Sequence, residues 1–313
     1  MEQSSPRLLN FEPNRAPAAP RDAATVIVIR DGVAGVEAFC VLRHPRSSFL
    51  GGAVVFPGGK VDAADAAEAW LGLVTEPHPR SIAFISASAS ARALAIAACR
   101  ETLEEAGIVP VDSPVADLDA LRAELAAPAD AGGGPGVLAG ALARRGHTLA
   151  LGALVPFARW VTPTAEQRRF DARFYLLVLP PGQVGKHDDH ETTMSFWDRP
   201  ASVLARFMAG EIFLAPPTTR TLELLAAAGD VAGALALAGE QSLEPICPAF
   251  VASDPPYLAL PGDPSHEVSE RRIAGPTRFV LHDGRFVSEG APTTTRPLAA
   301  SPQEIQVSVR RST

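Results

Sequence analysis

Apolar runs with strand character alternate with longer helical segments along this chain, and the alternation predicts an α/β fold. Three segments carry the prediction. Ala24 to Arg30 (Ala-Thr-Val-Ile-Val-Ile-Arg) reads as a buried strand, a short continuous apolar run closed by the turn signal Asp31-Gly32. Ser88 to Ala106 is an Ala-rich helical run closed by Gly107, the residue type that most readily takes the left-handed cap. Pro200 to Ala209 and Thr218 to Ala228 read as further helices.

In chain order, residues 1–22 are polar and Pro-rich and read as a flexible N-terminal strap. The strand from Ala24 turns through Asp31 to Gly35 into a second strand, Val36 to Arg43, so a hairpin is expected. Ala53 to Phe56 is a short strand running into Pro57-Gly58-Gly59. Insertions are read at about 63–90 and 112–146, the second with a short helix from Leu118 to Ala126 and a flexible tip at Gly132 to Gly136. Leu149 to Val161 and Phe170 to Leu179 read as core strands, and Asp230 is placed to cap a helix through Leu237. The main domain spans 23–240. After Glu240 the content of Pro, Gly and Asp rises, and Asp283-Gly284 between apolar flanks is a strong two-residue hairpin signal. Residues 241–290 read as a β-rich extension and 291–313 as a weakly ordered tail.

Composition excludes several classes. Hydrophobic residues make up 47% and charged residues 20%, as in soluble globular chains. A net charge of −7 argues against a basic nucleic-acid face, although an anionic substrate remains compatible if a cation supplies local charge. No apolar run reaches the ~18 residues of a membrane span. Cys40, Cys99 and Cys247 are too few and too scattered for a disulfide framework or a zinc site. The N-terminus lacks the apolar core of a signal peptide and the chain does not end in Ser-Lys-Leu, so a cytoplasmic location is expected.

The most informative stretch is Arg100-Glu101-Thr102-Leu103-Glu104-Glu105-Ala106-Gly107-Ile108. At about 100° per residue, Glu101, Glu104 and Glu105 share an arc of roughly 100°. Like charges one turn apart repel, and the last turn of a helix is its negative end. Arg100, one turn before Glu104, offsets part of this; a divalent cation would offset far more, since Mg²⁺ is held by carboxylates, water and substrate phosphates.

This segment resembles the core of the Nudix box, Gly-x5-Glu-x7-Arg-Glu-U-x-Glu-Glu-x-Gly-U, with Gly59 as its opening glycine. Thr102 replaces the first aliphatic, and a long insertion separates Gly59 from Arg100. Counting forward from Gly59 reaches Asp65 and counting back from Arg100 reaches Arg92, and neither is assigned the place of the early Glu. An insertion inside the box is similar to the coenzyme A diphosphatase-like branch. Phe56 to Asp62, Trp160-Val161-Thr162-Pro163, Arg169 to Tyr175 and Gly210 to Thr218 resemble that branch as well. The resemblance implies an α/β/α sandwich with a mixed sheet, and metal-dependent cleavage of a nucleoside diphosphate linked to another group. It implies Mg²⁺ or Mn²⁺ as cofactor on Glu101, Glu104 and Glu105, with Arg100 orienting them and Gly58 and Gly59 letting backbone approach the phosphate. It also implies arginines ahead of the glycine turn, here Arg43 and Arg46, on the nucleotide's phosphates, and an acidic base in a later loop, here Glu191. The implied substrate is coenzyme A or acyl-coenzyme A. ADP-ribose or a dinucleotide is the alternative substrate, and a non-catalytic nucleotide-binding regulator the alternative class.

Other features read blandly. A Walker loop is rejected, because Val54 stands where its first glycine belongs and Val61 replaces Ser/Thr. His187, Asp188, Asp189 and His190 match no zinc spacing and read as a polar loop. The extension is left with three roles: covering the pocket, completing the sheet or making a homodimer contact.

Overall fold

The computed structural model describes residues 18–47, 49–115, 117–127, 134 and 136–291. Residues 1–17 of the expected strap, residues 292–313 of the expected tail and most of the Gly-rich tip lie outside the described residues, while Arg21 and Asp22, read as strap, open the first strand because they pair with Phe170 and Asp171.

Strands β1 (Arg21–Gly32) and β2 (Gly35–Arg43) form the expected hairpin. They pair only near its turn, Ile29–Gly32 with Gly35–Ala38. Beyond that they part, and the next strands fill the fork. β3 (Ala53–Val55) pairs with β2, and β4 (Gly58–Lys60) pairs with Ala23, Ala24 and Thr25 of β1. The glycines expected only to turn the chain thus form a strand of their own. On its other side β1 runs parallel to β6 (Phe170–Val178), which pairs antiparallel with β5 (Val155–Val161). β7 (Thr192–Asp198) pairs with β2. Sequence reading missed β7, because its half-exposed Thr-Thr-Met-Ser-Phe-Trp-Asp carries no clean alternation. The sheet is mixed, as expected.

Side-chain alternation on these strands makes two cores. Val26, Val28, Phe39, Val41, Tyr175 and Leu177 face one way; Ile27, Ile29, Ala38, Cys40, Phe174 and Leu176 face the other. Helix α1 (Ala91–Ala106) covers the first face. It begins three residues later than read, with the Ser90 hydroxyl accepting the Ala93 N–H at 3.1 Å, and it ends at Gly107 with φ 64°. Ala93 to Cys99 are buried all round, because the two insertions cover the side of α1 turned away from the sheet. The first supplies Trp70 and Phe84. The second supplies α2 (Leu118–Ala126) and α3 (Val137–Arg145), the latter not read from sequence.

The opposite face carries α4 (Pro200–Met208), the two-residue β8 (Phe213–Leu214) on the edge of β3, α5 (Pro216–Ala226) and α6 (Val231–Glu240), completing an α/β/α sandwich. α5 starts at Pro216, two residues before the expected Thr218, as suits proline in a first turn. The Asp230 cap holds, its carboxylate accepting the Gly233 N–H at 2.7 Å. No helix among the described residues is long and apolar enough to cross a membrane.

The extension is part of the second core. β9 (Pro245–Ile246) adds to the sheet edge alongside β5, and β10 (Ala249–Val251), β11 (Tyr257–Ala259), β12 (Arg278–His282) and β13 (Arg285–Glu289) form a second sheet. Asp283 and Gly284 turn the last hairpin, both at positive φ. Buried Arg220 of α5 donates to the carbonyls of Ala274 and Pro276, at 3.3 and 2.5 Å, and pins the extension down. Leu258, Leu260, Ile273, Phe279 and Phe286 are nearly solvent-free. At roughly 1.5–3 kcal/mol each, their loss rivals the whole net stability of a domain, about 5–15 kcal/mol. Truncation after Glu240 is therefore expected to abolish cooperative unfolding, read by near-ultraviolet circular dichroism. A truncated protein with an unchanged unfolding midpoint would remove the extension from the core.

Candidate active site

The fork in the sheet and the last turns of α1 meet. The Gly58 N–H donates to Glu105 Oε2 at 2.9 Å. A Cβ on Gly58 would collide with the Ala24 carbonyl, and one on Gly59 with the Glu101 carboxylate. Only glycine lets β4 lie this close to both β1 and the helix.

Arg100 is buried and organises the cluster. Its guanidinium bonds Asp65 at two points, Nε to Oδ1 and Nη2 to Oδ2, both at 2.9 Å. Nη1 reaches Glu101 at 2.9 Å and Glu104 at 3.3 Å, and Nη2 also donates to the Lys60 carbonyl at 3.0 Å. The Asp65 carboxylate also accepts the Asp62 N–H at 2.7 Å in a capping box. Asp65 is therefore the buried acidic partner of Arg100. Its spacing from Gly59 pointed to it; the insertion, which falls between Asp65 and Arg100, hid it from the count taken backwards.

The carboxylates are electrostatically strained. Burial pushes Glu105 up to about 8, against the pull of Arg43 and the Gly58 N–H. Burial lifts Glu104 to about 7, against Arg100 and with Glu101 and Asp65 adding repulsion. Glu101 is raised by burial too, partly offset by Arg100. Among the described residues, the cations that form ion pairs with these carboxylates are Arg100 and Arg43, the latter 3.5 Å from Glu105.

Arg43 closes β2 at a shift of register against β7, opposite Thr192. Such irregularities re-aim a side chain, and this one sets Arg43 beside Glu191. The Glu191 carbonyl accepts the His44 N–H at 2.8 Å, and its negative charge is felt by Glu101 and Glu105. Asp188 builds the turn that carries it, accepting the N–H groups of His190, Glu191 and Thr192. His187 is taken up by Ser195 and Asp189, so the His/Asp stretch is a polar loop here. Arg122, from the second insertion, donates twice to the Glu104 carbonyl, at 2.9 and 2.8 Å, and satisfies the end of α1. Sequence reading missed Arg122, since it acts through a folded neighbour, and it placed Asp188 in a polar loop without foreseeing that it builds the turn carrying Glu191. Arg46 stands apart from the carboxylates, in an open pocket shared with Arg43, His44, Ser47, His190 and Glu191.

A second cavity, of about 520 Å³, starts at Gly58, Gly59, Glu101 and Glu191 and continues between the sheet and α5. Phe56, Trp160 and Phe174 wall it from the sheet, Pro216 and Pro217 from α5, and Pro248 and Leu258 from the extension. Two of the roles considered for the extension, completing the sheet and lining the pocket, are thus met by different parts of it.

Among the described residues, no three His, Cys, Asp or Glu side chains form a ready-made metal cage. The donor set still fits a hard divalent cation. It consists of carboxylate oxygens in excess over their cations, and Mg²⁺ usually takes only one or two carboxylates with water and phosphate completing its shell. Glu101, Glu104 and Glu105 could supply those oxygens.

Residues 20–225 match the family model of the NUDT19 Nudix domain. This chain belongs to the Nudix superfamily, in its NUDT19 branch. A Nudix hydrolase of Alicyclobacillus acidocaldarius is 32% identical and superposes with a TM-score of 0.59, covering 70% of this chain and 96% of that one. The acyl-coenzyme A diphosphatase NUDT19 of Gallus gallus is 32% identical over 59% of this chain and 60% of its own. The Homo sapiens protein of that name is 29% identical over 58% of each. The chain thus spans about 60% of the length of these curated relatives. Seen as a Nudix box, the acidic helix end is interrupted between Asp65 and Arg100, and the pair's buried ionic contact closes the interruption.

Proposed function

We propose that this protein is a metal-dependent diphosphatase that cleaves coenzyme A or acyl-coenzyme A. The crowded, mutually repelling carboxylates of α1, Glu105 buried and Glu101 and Glu104 half-buried, set against the Gly58–Gly59 strand at the mouth of a cavity, carry the reading. Mg²⁺ or Mn²⁺, bound through Glu101, Glu104 and Glu105, would polarise the diphosphate and lower the pKa of a water. Arg100 and Asp65 hold Glu101 and Glu104 in place. Glu191 accepts the proton of the attacking water; a phosphorus–oxygen bond forms to that water as the bridging oxygen leaves with the other phosphate. The products are a phosphopantetheine and adenosine 3′,5′-bisphosphate. Arg43 and Arg46 are suited to the substrate's phosphates. The curated relatives' name supports this substrate over ADP-ribose or a dinucleotide.

The test is turnover of coenzyme A, ADP-ribose and NADH with Mg²⁺ or Mn²⁺, with products identified, for wild type and Glu104→Gln. Coenzyme A cleavage by wild type, at least about 10-fold slower in the variant, is expected. Equal rates in both proteins would sink the mechanism. Nucleotide binding without turnover is the second reading, favoured by the engagement of Glu101 and Glu104 with Arg100. Tight coenzyme A binding with no product under either metal would support it.

A further inference from the structure

We infer that the cavity beside the acidic helix is a compartment for an apolar chain on the non-nucleotide arm of the substrate, and that the C-terminal extension helps set which chains fit. The inference rests on the diphosphatase reading and deepens it. The cavity opens at the carboxylates and half-buried Arg43, and the other cations in its lining, Arg21, Lys60 and Arg168, are exposed residues. The walls beyond are aromatic and aliphatic: Trp160 and Phe174 from the sheet, Pro216 and Pro217 from α5, Pro248 and Leu258 from the extension. Proline has no N–H, so three of these six cannot offer a backbone donor to a base. The Thr162 hydroxyl, also in the wall, is already bonded to the Phe170 N–H at 3.0 Å. Such walls favour a ligand recognised by area rather than by directional bonds. The Arg43–Arg46 pocket, which meets the cavity at Arg43 and Glu191, offers cations to the phosphate-bearing arm instead. A substrate laid across both pockets places its diphosphate at α1. Leu258 lies on β11, so the wall is incomplete without the extension.

The experiment compares kcat/KM for coenzyme A, acetyl-coenzyme A and octanoyl-coenzyme A in wild type, Leu258→Phe and Ala172→Leu. Ala172 is half-buried in the same wall on β6, and its replacement fills the cavity without altering the extension. In wild type kcat/KM should rise with chain length. In both filled variants the ratio of octanoyl to unacylated substrate should fall about 10-fold or more. An unchanged ratio in variants with wild-type unfolding midpoints overturns the inference. A uniform fall across all three substrates also overturns it, since the compartment would then hold a part that all three share. Calorimetric binding separates the two readings. Octanoyl-coenzyme A bound more tightly than coenzyme A, with no hydrolysis of either, keeps the compartment and removes the diphosphatase. Hydrolysis and binding that are both blind to chain length do the reverse.

Discussion

Replacing Arg100 with methionine is expected to cost about 3–5 kcal/mol of folding stability, the usual penalty for removing one partner of a buried ion pair. The guanidinium is 3% exposed and Asp65 is 0% exposed, so methionine leaves a carboxylate with neither water nor a counter-charge. Burial alone would depress Arg100, yet Asp65, Glu101 and Glu104 together hold it above its usual value, so it stays charged at any working pH. Urea unfolding of Arg100→Met, Asp65→Asn and the double variant measures the pair. The double variant should lose less than the sum of the singles, by about 0.5–3 kcal/mol, because the two groups share one interaction. Strict additivity would show that the bidentate contact does not hold the first insertion to α1.

The second large effect is on turnover. Glu101→Gln and Glu105→Gln keep shape and volume while each removes a negative charge. A metal acting as a Lewis acid supplies several kcal/mol of charge stabilisation, and each 1.36 kcal/mol is a factor of ten. Loss of about 10²–10³ in kcat is expected for either variant, with KM changing less. The same groups set a pH dependence. With Glu105 raised to about 8 and Glu104 to about 7 in the metal-free protein, both are largely protonated at pH 6. A cation must displace those protons, so Mn²⁺ affinity should rise between pH 6 and 9, with protons released on binding. Calorimetry in buffers of different ionisation enthalpy reads both. Affinity flat across that range would mean that these carboxylates are not the ligands.

Much of this was legible in the sequence because it is local. Helix α1, its Gly107 cap and the Asp283-Gly284 hairpin follow from periodicity and turn chemistry over a few residues. The acidic cluster was visible because helical geometry places residues three and four apart side by side, whatever surrounds them. The family pattern added Gly59 as the cluster's partner, and the structure does bring Glu101 against it.

Tertiary structure decided the rest, and for one reason: those contacts join residues whose separation along the chain carries no signal. Arg100 meets Asp65 from 35 residues away, because the insertion loops out after the capping box and folds back over α1. Arg122 reaches the Glu104 carbonyl from another insertion, and Leu258 enters the cavity wall from beyond the main sandwich. Strand β4 forms because β1 and β2 splay, and that is a property of pairing rather than of Gly58-Gly59-Lys60. The sequence by itself determined the charge at the end of α1. Only the packing of two insertions and the extension decided that this charge is buried, who neutralises it, and what shape of cavity it faces.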